Sequence, residues 1–123
     1  PELLSAQQPL SALHDEMLLA ARHYGIADRG LASAAKTLAR PWNDTVHSLL
    51  PSGVIHAKRR AEELEMSAEA VRDAGIEPTM AEAIAARLRW KESLGLKQHF
   101  NGTVPATLDE VLQAIEQKMA RDA

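Results

Sequence analysis

Apolar residues recur along the first third of the chain at Leu10, Leu13, Met17, Ala20 and Tyr24, in steps of three and four. That spacing lines them along one stripe of an amphipathic helix. Ser5-Ala6-Gln7-Gln8 precedes the stripe and has the form of a capping box, with Ser at the cap and Gln three residues later. Pro9 then falls in or just beyond the first turn; in a helix begun at Glu2 it would be a kink. Gly25 predicts the stop. A second, shorter helix is expected over residues 28–39, with Leu31, Ala34, Ala35 and Leu38 inward, ended by Arg40-Pro41.

Residues 42–50 predict a short helix closed by Pro51-Ser52-Gly53. A long helix follows from about Val54 to Ala74, with Leu64, Ala68 and Val71 inward and Gly75 as its stop. Pro78-Thr79-Met80-Ala81-Glu82 is a second capping box. The helix behind it carries Met80, Ala83, Ile84, Leu88 and Leu94 and ends at Gly95. Residues 97–105 read as a polar loop, with Asn101-Gly102 and Pro105 as turn signals. Thr107-Leu108-Asp109-Glu110 is the third box. It opens a last helix lined by Leu108, Val111, Leu112, Ile115 and Met119. No segment alternates with period two. The expected fold is all-α, a single domain over residues 1–123 built from five to six helices.

Composition sharpens this picture. Of 123 residues, 22 are Ala and 16 are Leu, both strong helix formers. The aromatics are Tyr24, Trp42, Trp90 and Phe100. Each Trp reads first as a volume filler in an Ala-rich bundle and second as a ligand-stacking platform. The chain has no Cys, which excludes disulfides, thiolate zinc sites and a Cys nucleophile. Fourteen basic residues against 17 acidic ones leave a net charge of -3, which argues against a nucleic-acid partner. No run approaches the ~20 apolar residues of a membrane span, and no signal-peptide pattern opens the chain. A cytoplasmic location and no membrane partner are therefore expected.

Candidate chemistry is sparse. No two of the five His stand four residues apart, so no metal site is expected. Glycine-rich phosphate loops and serine-nucleophile motifs are absent. The densest cationic run is His56-Ala57-Lys58-Arg59-Arg60, followed by Glu62, Glu63 and Glu65. It reads either as a solvated helix face, with Lys58–Glu62 and Arg59–Glu63 at i, i+4, or as an anion contact. Base before acid is the weaker order for such pairs. Cations in the first turns of a helix also oppose its dipole. Arg, by contrast, grips carboxylates and phosphates in a bidentate fork.

Two blocks resemble a known family. Residues 10–26, LSALHDEMLLAARHYGI, lead into the short 28–39 segment, and residues 56–96 contain HAKRRAEELE and DAGIEPTMAEA before a helix ending in Gly-Leu. In order and spacing these are similar to the C-terminal helical domain of the 6-phosphogluconate dehydrogenase-like, or β-hydroxyacid dehydrogenase, superfamily. The resemblance extends over around half the chain. It implies an enzyme of two parts. A Rossmann domain, in the same or another chain, would bind NAD or NADP. The helical domain would close over the substrate and form an intertwined homodimer. No cofactor and no catalytic residue are then expected within this chain, because the catalytic Lys of the family would precede Pro1. Departures are also visible. Leu4 and Gln7 fall where better-known members carry Asn and an acid. Gln8-Pro9 falls on a Lys-Gly pair, and Glu62-Glu63 on a Lys-Asp pair.

The leading expectation is thus a substrate-binding and dimerisation domain of an NAD(P)-dependent oxidoreductase, inactive alone. Arg59 and Arg60 would meet an anionic substrate group, with His56 and Glu63 beside them. The alternative is a stand-alone helical interaction module that binds a partner helix or a small apolar ligand. A helix-turn-helix DNA binder has the HAKRR run in its favour and the acidic residues after it against it.

Overall fold

A computed structural model describes residues 5–122. It consists of α1 (Gln7–His23), α2 (Ala27–Leu38), α3 (Trp42–Asp73), α4 (Thr79–Ser93), α5 (Leu96–His99) and α6 (Leu108–Asp122). No strand occurs among the described residues. The expected all-α class and helix number are therefore observed. Glu2 and Leu4, which entered the sequence expectations, lie outside the described residues.

Helix α3 is the spine, packing most extensively on α4 and also on α1, α5 and α6. Two helix ends follow from glycine chemistry. Gly25 and Gly75 sit at φ 73° and 84°, a region that L side chains rarely adopt. The Gly25 amide donates to the Arg22 carbonyl and the Ile26 amide to that of Ala21; Gly75 and Ile76 repeat this with Arg72 and Val71. Both are Schellman closures, which satisfy carbonyls that a helix end leaves open. The tight turn after α3 sends α4 back along it.

The core lies in the C-terminal half. Val54, Leu94, Leu96, Val111 and Ala114 form one buried cluster, with Ile55, Trp90, Phe100 and Ile115 packed against it. Leu96 is 1% exposed and Val111 0%. The expected polar loop over 97–105 therefore needs correction at its start. Leu96–His99 is a turn of helix, α5, because burying Leu96 fixes the backbone there. Ala68 and Val71 face inward as expected, with Leu64 half-buried.

Three further expectations change. First, residues 42–73 form one 32-residue helix with Pro51 inside it; Pro51-Ser52-Gly53 closes nothing. Proline removes one helix hydrogen bond and forces a bend. Side chains serve the bend: the Leu49 carbonyl accepts from Ser52 Oγ and from Arg60 Nη1, each at 3.3 Å. Second, the faces of α1 and α2 are poorly covered. Leu10 and Tyr24 are exposed, and α2 buries no residue, with Leu31 at 48% and Leu38 at 50% exposure. Trp42, expected to fill volume, is 72% exposed. These residues precede the self-contained core, and the other described helices leave them largely uncovered.

Third, capping differs from box to box. Thr107 Oγ1 accepts from the Glu110 amide at 3.2 Å, as the third box predicts, while the Glu110 carboxylate accepts from the Ala106 amide. In the first box, Ser5 Oγ pairs with Gln8 Oε1, and the cap position, Ala6, has no side-chain bond. In the second box the cap comes from another helix. The Glu16 carboxylate of α1 accepts from the Met80 amide at 2.7 Å and the Ala81 amide at 2.9 Å, at the start of α4. A carboxylate there satisfies orphan N–H groups and complements the helix dipole. Glu82, the expected box partner, pairs instead with Arg72.

Candidate functional site

His56, Arg59, Arg60 and Glu63 stand at i, i+3, i+4 and i+7 of α3, which places them on one face of the helix. Their environments differ. Arg59 and Glu63 form an exposed ion pair at 3.8 Å, the local pairing the sequence suggests, and at such exposure it contributes little to stability. His56 is half-buried. Arg60 turns away from Glu63 toward the N-terminal end of the helix. It donates from Nη1 to the Leu49 carbonyl and from Nη2 to Ser52 Oγ at 3.0 Å. Eleven residues of straight helix rise about 16 Å, more than an extended arginine covers. The Leu49 contact closes only because α3 bends at Pro51.

The inside of that bend is a cationic notch. Gly53 is buried there, and a Cβ on it would lie 3.2 Å from Lys91 Nζ and 3.3 Å from Arg60 Nη1. The two cations, from α4 and α3, therefore reach toward one point and are no further apart than the sum of those distances. Arg87, one turn before Lys91 on α4, adds a third cation and lies over the Trp90 ring at 4.0 Å. Burial pushes the Lys91 ammonium below the ordinary lysine value, and the positive charges of Arg60 and Arg87 push it the same way. Among the described residues no carboxylate lies within ion-pair distance of Arg60, Arg87 or Lys91.

Elsewhere along the α3–α4 seam, cations are neutralised. Arg89 reaches Glu65 at 2.6 Å and Glu92 at 2.9 Å. Its hydrogen bond and charge hold the Glu65 carboxyl below its usual range. The notch differs from this background in having cations alone. Sequence reasoning reached Arg60 and missed Lys91, Arg87, Ser52 and Gly53. One signal was available: Arg87 and Lys91 are like charges at i, i+4, an arrangement that destabilises an isolated helix.

The second feature is apolar. A groove of about 350 Å³ runs between α1 and α3, lined by Leu13, Met17, Tyr24, Ile26, Leu64 and Val71 among others. Tyr24 spans it, donating its hydroxyl to the Ala70 carbonyl at 2.8 Å. The exposed leucines of α1 and α2 add further apolar surface on the same N-terminal pair. No group of three or more His, Asp or Glu able to hold a metal occurs among the described residues. Among them, too, no helix is long and apolar enough to cross a membrane.

Comparison with known proteins adds one finding. The model of a protein family, a domain of unknown function (DUF1932), matches residues 21–91, more than half of the chain. The matched span runs from the end of α1 to the Lys91 side of the notch. No curated protein and no solved structure matches the chain.

Proposed function

The chain belongs to the DUF1932 family, known as the C-terminal helical domain of NAD-binding 6-phosphogluconate dehydrogenase-like proteins, and we propose that it serves as the substrate-binding and dimerisation domain of an NAD(P)-dependent oxidoreductase. The reaction class is hydride transfer between the nicotinamide and a carbonyl or imine carbon. The cofactor supplies that chemistry, and protein groups supply binding and orientation. The dinucleotide would sit on a Rossmann domain. Such a site needs a strand leading through a glycine-rich turn into a helix, and no strand occurs among the described residues. No cofactor contact is assigned to this chain.

Its own contribution would be a wall of the substrate cleft, formed by the α3 face that carries His56, Arg59, Arg60 and Glu63. The α1–α2 surface would meet a second copy or the nucleotide-binding half. The observation that carries the reading is family membership. The uncovered leucines of α1 and α2 support it, because an apolar face of this kind is characteristic of an interaction surface. A cysteine-free chain also suits the reducing cytoplasm.

The test is to read the frame upstream of the Pro1 codon, express its complete product and titrate it with NADH and NADPH. The expected frame encodes a strand, a GxGxxG turn and a Lys ahead of Pro1, and its product binds one of the two cofactors. A complete product that binds neither would transfer the lead to the stand-alone interaction module. Light scattering of the same product tests dimerisation separately, and a clean monomer at micromolar concentration defeats that part.

A further inference from the structure

Among the described residues Asn101 is the one non-glycine residue at positive φ, 55°. It holds the position at the end of α5 that Gly25 and Gly75 hold at the ends of α1 and α3. The Asn101 amide donates to the Gln98 carbonyl at 3.1 Å and the Gly102 amide to the Lys97 carbonyl at 2.8 Å. This is a third Schellman closure, with Asn in the glycine's place. Asn enters this left-handed region more readily than most L residues, but less freely than Gly. Leu96 and Phe100 anchor the same turn in the core. The closure is therefore strained at one residue and held by its neighbours. Asn101 and Gly102 themselves are exposed.

An Asn-Gly pair carries a chemistry of its own. The backbone nitrogen of the Gly can attack the side-chain amide carbon of the Asn, and glycine has no side chain to shield that nitrogen. Attack requires the nitrogen to lose its proton. In the closure this N–H is committed to the Lys97 carbonyl, so the pair reacts only when the closure opens locally.

We propose that Asn101 is a deamidation site gated by the α5 closure, and that its isoaspartyl product breaks the closure permanently. Once the turn opens, the Gly102 nitrogen gives its proton to solvent and bonds to Asn101 Cγ. The Cγ–Nδ2 bond breaks, and ammonia leaves with a proton from solvent, so that a cyclic succinimide remains. Water then opens the ring. Addition at Cγ yields aspartate; addition at the main-chain carbonyl carbon yields isoaspartate, in which the chain runs through the former side chain. Nothing is oxidised or reduced, and water is the co-reactant. Isoaspartate lengthens the main chain by a methylene between residues 101 and 102, so the Gly102 amide no longer meets the Lys97 carbonyl in register. The turn that fixes Leu96 then loses its lock. The other Asn of the chain, Asn43, lies in the first turn of α3 and is followed by Asp44, whose side chain crowds the attacking nitrogen. It serves as an internal control.

The site stands apart from the enzyme reading, and its test needs neither cofactor nor turnover. The 123-residue chain is aged in buffer and, in parallel, unfolded in guanidinium chloride, and peptide mapping by mass spectrometry follows the conversion of each Asn to acid. In the unfolded chain Asn101 should convert well ahead of Asn43. In the folded chain its conversion should be slower by at least about tenfold. Hydrogen exchange should show the Gly102 amide protected by a matching factor, since both events need the same N–H set free. Isoaspartyl chain, separated after ageing in denaturant and returned to buffer, should unfold at a lower midpoint than the parent and lose protection at the Phe100 and Gly102 amides. Asn101→Asp, with the same charge on an ordinary backbone, should unfold close to the parent. Absence of conversion at Asn101 in the unfolded chain overturns the site. Equal rates in the folded and unfolded chain overturn the gate. An isoaspartyl chain that unfolds like Asn101→Asp overturns the permanent break.

Discussion

Helices α2 and α6 are both short and amphipathic, yet they end in opposite situations. α6 buries Val111 and Ala114 against α3, close to Val54 and Leu96. α2 buries nothing, and its two leucines stand half in solvent. The difference lies in what each helix meets. The chain returns α6 to the spine after the α5 turn, where Leu94, Leu96 and Phe100 already form a surface. α2 follows α1 through the tight Gly25 turn and packs chiefly on α1, and with four Ala and two Leu among its twelve residues it brings little bulk to that contact. An amphipathic pattern thus specifies that a face wants cover. It does not specify that the same chain supplies it.

The largest expected effect comes from cutting into the covered half. Leu96→Ala should lower unfolding free energy by about 2–5 kcal/mol, the cost of a large-to-small change at a fully buried site. Urea unfolding followed by circular dichroism would measure it. A loss below about 1 kcal/mol would mean that the α5 turn is not part of the stabilising core, since changes of that size are ordinary at the surface.

An intermediate effect is expected at the joint between the halves. The Glu16 carboxylate carries two charge-assisted hydrogen bonds to the start of α4. Glu16→Ala should cost about 1.5–3 kcal/mol, because it leaves two amides without their acceptor. Hydrogen exchange gives the sharper readout. The Met80 and Ala81 amides should lose protection in the variant while the Val111 amide keeps most of its own. Unchanged protection at Met80 and Ala81 would show that α4 is capped without α1, and the two halves would then be less coupled than this geometry implies.

Legibility from the sequence follows the same division. Glycine stops at positions 25 and 75, the Thr107 cap and the inward faces of Ala68 and Val71 are local matters, and local pattern was enough for them. Pro51 misled because its helix-breaking tendency is local, while the compensation is not. Arg60, nine residues further on, reaches back to support the bend. Glu16 escaped notice for the same reason. Within His14-Asp15-Glu16 nothing marks it as the cap of a helix that begins 63 residues later, at Thr79. The notch combines both cases. Its α3 half was visible as a cationic run that poorly fits its own helix. Its α4 half was visible only as an unfavourable like-charge spacing, and what joins them is the bend that the pattern did not predict.

The smallest expected effect belongs to the uncovered half, and it is the one that separates a free surface from an interface. Leu31→Ser with Leu38→Ser removes two half-exposed leucines from a helix with no buried residue. In dilute solution, where the chain is on its own, the pair should change unfolding free energy by no more than about 0.5 kcal/mol each, as for other surface substitutions. At high protein concentration the outcome should differ. A chain that uses this face to meet a second copy has a melting temperature that rises with concentration, and the double variant should lose that rise. A drop of more than about 2 kcal/mol in dilute solution would instead place both leucines in a folded core, and the contrast between α2 and α6 would disappear. Retention of the concentration dependence in the variant would move the contact between copies elsewhere, to the groove between α1 and α3 that Leu13, Met17 and Tyr24 line.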